Sequence, residues 1–100
     1  MSIEQKIRYT NTAYPDKTFE SDDEFFTNEN CGNDDSDSKT LESHTANNNK
    51  YHFDKTFALS DDKKSVLVTI DFTTEEDKTN WAIEKAKLPA IDKNLKEEIL

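Results

Sequence analysis

Few side chains in this 100-residue chain carry the chemistry of a reactive centre. Cys31 is the single thiol, and His44 and His52 are the only imidazoles. A zinc site needs three or four such ligands converging, and no pair among these has the spacing of a zinc finger. A nucleophilic cysteine needs a cationic or helix-terminal neighbour to lower its pKa. Cys31 lies instead in an acidic stretch, which raises it. The run Asp34-Asp35-Ser36-Asp37-Ser38 offers hard oxygen ligands suited to calcium. An EF-hand loop, however, needs a ligand at its fifth position and glycine at its sixth. Counting from Asp35, the fifth position is Lys39 and the sixth is not glycine. Ser21 and Thr74 precede acidic triplets, as acid-directed kinase sites do, but both are accounted for as helix caps. The expectation is a non-enzymatic chain with no catalytic residue, no metal and no cofactor.

What the sequence does concentrate is negative charge. The formal net charge is −9 and the pI about 4.6. Residues 1–15 hold one acid and two bases, residues 16–42 ten acids and two bases, and residues 43–100 eleven acids and nine bases. Nearly all the excess therefore sits in one quarter of the chain, an asymmetry that marks interaction segments. Nucleic acids and anionic membranes are polyanions, so neither is an expected ligand; a basic macromolecule is. A protein imitates a nucleic-acid backbone by spreading carboxylates over a fixed surface. The candidate partner-binding residues are Asp22, Asp23, Glu24, Glu29, Asp34, Asp35 and Asp37, with Phe25 and Phe26 as aromatic anchors beside them. The plainer alternative is a solvated acidic loop.

The function expected is that of a small acidic binding protein, an inhibitor or nucleic-acid mimic that blocks a basic, nucleic-acid-binding partner. Two alternatives stand beside it: a structural or accessory subunit of a virion or other assembly, and an immunity-type protein against a basic toxin. Lysine outnumbers arginine twelve to one and there are nine asparagines, a coding bias of AT-rich genomes, as in many phages, mobile elements and low-GC bacteria. With one cysteine there is no internal disulfide. Residues 1–6 lack the apolar core of a signal peptide, and no stretch is apolar enough to span a bilayer. The expected location is the cytoplasm, that of a bacterial host for a phage product.

The elements that position these residues follow from periodicity. Tyr51, Phe53, Phe57 and Leu59 alternate with polar residues, interrupted by Lys55, whose stem can lie along a sheet with its ammonium in water. Val66, Val68, Ile70 and Phe72 alternate after the turn-forming run 60–65. Pairing Ser60 with Ser65 puts Leu59 opposite Val66, Phe57 opposite Val68 and Phe53 opposite Phe72, all on one face. That register also sets Asp54 against Asp71, which calls for a basic neighbour. Ile3, Ile7 and Tyr9 line one face of a further strand whose Lys6 and Arg8 are suited to that role.

Thr73 or Thr74, ahead of Glu75-Glu76-Asp77, caps a helix ending before Pro89, with Trp81 and Ile83 in its core face. Ser21 to Glu24 caps a shorter helix, and Thr18-Phe19-Glu20 fits a brief strand. Ile91, Leu95 and Ile99 recur every four residues, as on a short helix that packs on the domain or offers a homo-oligomer contact. The predicted fold is a single α+β domain over residues 1–100. It has an antiparallel sheet of three to four strands (about 3–10, 50–59 and 65–73) and a main helix at about 74–88. Short helices lie near 21–27 and 92–99, and a long acidic loop runs over about 28–49.

Overall fold

The structure, a computed structural model, describes residues 3–32, 38–51, 54–89 and 92–100. It is an α+β fold built on a four-stranded antiparallel sheet. In chain order the elements are β1 (Ile3–Asn11), α1 (Asp22–Phe25), α2 (Asn28–Cys31), α3 (Ser38–Tyr51), β2 (Asp54–Leu59), β3 (Ser65–Phe72), α4 (Glu75–Ala86) and β4 (Leu95–Ile99). The strand order is β2-β3-β1-β4.

The β2–β3 hairpin has the expected register: Leu59 pairs with Val66, Phe57 with Val68 and Asp54 with Asp71. Its turn closes with Ser60 N–H donating to Ser65 O at 2.9 Å. Within it Lys63 takes a left-handed conformation (φ 61°), and the Ser60 hydroxyl donates to Asp62 at 2.6 Å. The pairing of Phe53 with Phe72 lies outside the described residues, as does His52. Along β3, Val66, Val68, Ile70 and Phe72 are all buried, so period-two alternation has done its work on one face.

The opposite face departs from expectation. β1 pairs with β3 so that Glu4 faces Asp71, while Lys6 faces Thr69 and Arg8 faces Leu67. Three carboxylates, Glu4, Asp71 and Asp54, thus form one row across three strands. The bases sit one and two pairs further along, and Arg8 has Glu98 of β4 as its other neighbour. The antiparallel register, which brings Ile3 against Phe72, dictates this offset.

Five further expectations change. The C-terminal helix near 92–99 is instead strand β4, paired along β1. A spacing of four residues satisfies a helical stripe and a strand face equally, since four is a multiple of two; the free edge of β1 decides between them. The loop over 28–49 contains α2 and most of α3. The strand expected from residue 50 begins at Asp54, because Lys50 and Tyr51 complete α3. Residues 18–20 form no strand; Phe19 makes one backbone bond, donating to Lys63 O at 2.9 Å, and its ring is fully buried. Ile83 is 49 % exposed, whereas Trp81 is buried. Two residues apart on a helix is about 200°, so the two cannot share a face.

The helix starts are as the sequence implies. Glu24 N–H donates to Ser21 Oγ at 3.2 Å, and Asp77 N–H to Thr74 Oγ1 at 3.1 Å. The core gathers Ile7, Phe19, Phe25, Tyr51, Trp81 and the inward residues of β3 on one side of the sheet. Among the described residues, no helix is long and apolar enough to cross a membrane.

Candidate binding groove

On the helix-bearing side of the sheet the helices do not close over the strands. They leave a groove of about 780 Å³. Its floor crosses all four strands: Lys55 and Phe57 of β2, Val68 and Ile70 of β3, Ile7 and Tyr9 of β1, and Leu95, Glu97 and Ile99 of β4. One wall is α1, through Asp22, Asp23 and Phe26. The other is α4, through Trp81, Ala82 and Lys85, with Asn47 and Asn48 of α3 behind it. A cavity of this size with an apolar floor and a few placed polar groups has the form of a binding site.

The wall at α1 is set by aromatic stacking. Phe25 is fully buried and meets the Phe19 ring edge-on at 4.9 Å. Phe26 packs edge-on against both Tyr9 and Phe57, at 5.7 Å between centroids in each case. Of the two aromatics expected to anchor a partner, Phe25 therefore belongs to the core, and Phe26 lines the groove. Phe57 remains 46 % exposed because β2 is an edge strand.

α1 and α2 are tied to the sheet by an asparagine network. Asn11 Nδ2 and Asn94 Nδ2 both donate to Asn30 O, at 2.9 and 3.2 Å. Asn30 Nδ2 donates to Glu24 O at 2.8 Å, and Lys17 Nζ to Asn30 Oδ1 at 2.9 Å. Gly32 closes the network with φ 69°; a Cβ there would lie 2.8 Å from the Asn94 side chain. Positive φ and the close approach each require glycine.

Across the floor, Glu97 Oε2 accepts two charge-assisted bonds, from Tyr9 Oη at 3.0 Å and Lys85 Nζ at 3.0 Å. Burial, reinforced by the Glu97 charge, pushes the Tyr9 hydroxyl far above its ordinary pKa. At the other edge, burial holds the Lys55 ammonium below its usual value, and the charge of Lys85 adds to the effect. Lys55 was legible as a break in the apolar row of β2. The Tyr9–Glu97–Lys85 trio was not, because it needs β4 to be a strand.

The predicted acidic residues divide. Asp22 and Asp23 stand on the α1 wall, the latter exposed. Glu24 is spent on capping: its Oε2 accepts the Glu20 N–H at 2.9 Å. Glu29 is exposed on α2. Among the described residues, no cation forms an ion pair with Asp22, Asp23 or Glu29. Asp34, Asp35 and Asp37 lie outside the described residues. So does Ile91 of the expected oligomer stripe; Leu95 packs against the core and Ile99 is exposed.

Cys31 is buried, and its thiol donates to Phe25 O at 3.3 Å. Its pKa is pushed up to about 11, chiefly by burial and secondly by Asp92. Its surroundings suit a structural thiol, not a nucleophile. His44 Nε2 lies 2.9 Å from Pro89 O. Among the described residues, no three His, Cys, Asp or Glu side chains gather as metal ligands. No protein-family model matches this chain, and no curated protein sequence matches it.

Proposed function

We propose that this chain is a small acidic, non-enzymatic binding protein that occupies a basic, nucleic-acid-binding surface of a partner protein. The observation that carries this reading is the pair of carboxylates on α1, Asp22 and Asp23, without a counter-ion among the described residues and bordering an apolar groove. A basic segment of the partner meets charge along that wall and apolar surface on the floor. Uncompensated acids also raise the encounter rate with a cationic protein. The coding bias supports an origin in a phage or mobile element, with the inhibitor acting in the cytoplasm of a bacterial host.

The test is affinity capture from such a host, then binding measured against salt. Affinity for the captured partner falls steeply between low and physiological salt. Reversing Asp22, Asp23, Asp34, Asp35 and Asp37 to lysine lowers it by more than about a thousandfold, at roughly 1 kcal/mol per interfacial charge. A complex that survives those five reversals unchanged rules the reading out. Recovery of the chain as a stoichiometric component of purified particles favours the assembly-subunit alternative instead.

A further inference from the structure

The two edges of the sheet are not equivalent. β2 exposes one edge and β4 the other. In antiparallel pairing, alternate residues turn their N–H and C=O groups toward the neighbour and away from it. Leu100 N–H donates to Lys6 O at 2.9 Å and Thr12 N–H to Asn94 O at 2.6 Å. With the β1–β4 register, these bonds show that the even-numbered residues of β4 bond to β1. Leu95, Glu97 and Ile99 therefore turn their backbone groups outward. Among the described residues, no backbone carbonyl takes the N–H of Glu97 or Ile99; that of Leu95 is taken by Asp92 O at 3.2 Å.

That outward edge is complementary to itself. We infer that β4 pairs with β4 of a second copy of this chain, antiparallel about a two-fold axis through Glu97, joining two four-stranded sheets into one of eight strands. In this register Glu97 lies opposite Glu97 of the other copy, and Leu95 opposite Ile99. These are hydrogen-bonded positions, so the outward N–H groups of Glu97 and Ile99 meet the outward carbonyls of Glu97 and Leu95. Lys96 falls opposite Glu98, twice, at non-hydrogen-bonded positions, where cross-strand side chains approach most closely. Leu95 and Ile99 form two apolar pairs on the groove side, covering part of Ile99, which is 57 % exposed in the single chain.

Three charges bear on this contact. Glu97 meets its own copy, but its carboxylate is already held inward by Lys85 and Tyr9. Lys96 and Glu98 lie 3.5 Å apart within one strand, so pairing turns two such contacts into a four-charge cluster. Arg8, opposite Glu98 on β1, adds a base to it. The β2 edge offers no such match. A two-fold through Phe57 sets Thr56 against Ala58 and Lys55 against Leu59, placing at the contact a lysine of the kind that discourages edge pairing.

Sedimentation equilibrium of the intact chain from micromolar to millimolar concentration tests the pairing. A monomer–dimer equilibrium is expected. Lys96→Glu and Glu98→Lys each set like charges opposite one another twice and weaken dimerisation by about tenfold or more. The double variant, carrying both changes, restores it. Ile99→Pro deletes an outward N–H that the single chain does not use, so the melting curve stays near the parent's while the dimer is lost. A chain that is monomeric throughout, a dimer that Ile99→Pro leaves intact, or a charge swap that fails to restore association overturns the inference.

Discussion

α3 and α4 lie against each other, yet they form for different reasons. α4 announces itself locally: Thr74 caps it, three acids fill its first turn, Lys85 sits in its last, and Trp81 is its apolar anchor. α3 has no acid in its first turn. It is fastened by polar groups. Asn48 Oδ1 accepts the Trp81 indole N–H at 3.0 Å, and Asn47 Nδ2 donates to Trp81 O at 3.3 Å. His44 reaches the Pro89 carbonyl, and Tyr51, at the end, enters the core. One helix is specified by its own sequence; the other is specified by what it docks on.

That contrast can be broken at its hinge. Trp81→Ala removes the ring packed on Phe72 and the donor to Asn48 together. A loss of about 3–5 kcal/mol is expected in urea unfolding, enough to unfold a marginal domain of this size. Amide exchange then reports α3 and α4 opening together.

A gentler pair of changes separates the two helices. Asn47→Ala is expected to cost about 1 kcal/mol, since it forfeits the bond to Trp81 O but also removes the Oδ1 atom, which is buried without a partner among the described residues. Its protection loss is confined to α3. Thr74→Ala costs about 1 kcal/mol as well, through the lost cap. There the exchange increase appears first at the N-terminus of α4. If Asn47→Ala loosens α4 as much as α3, the helices are one cooperative unit and the distinction fails.

A further effect is in pH, and it probes α2, which is also held by polar bonds. The Cys31 thiol keeps its proton in the folded state up to about pH 11 and releases it near pH 9 when unfolded. The folded state then binds more protons than the unfolded state between those values, so stability falls as pH rises through that window. The contribution is fully present below pH 9. Cys31→Ala flattens the urea-unfolding free energy over that window relative to the parent. An unchanged slope would mean that the thiol is solvated rather than enclosed against Phe25.

Legibility in the sequence follows the same division. The hairpin register, both helix caps and the position of β1 were readable because each rests on neighbours in sequence: alternation, a cap and its third residue, a turn. α3 was not, since the apolar residues of Ser38–Tyr51 are few and widely spaced among polar ones, and three consecutive asparagines interrupt the pattern. Asn30, Asn47 and Asn48 look like helix breakers in the sequence. In the fold they carry the bonds that hold α1, α2 and α3 in place. The groove was legible only in part. Asp22 and Asp23 were chosen for charge, and Phe26 for aromaticity, but the trio of Tyr9, Lys85 and Glu97 is assembled from three elements far apart in the chain.

The strand order has a consequence for how the molecule is made. β1 lies inside the sheet, yet of its four strands it is made first. Ile3 must wait for Phe72 and Ile7 for Ile99. Until then both edges of β1 are bare, and Ile3 and Ile7 lack their strand partners. Pairings this distant are slow to form, because the intervening chain must be gathered first. The alternating Glu4, Lys6 and Arg8 on the other face of that strand keep the waiting segment in solution, a service rendered during synthesis rather than in the finished fold.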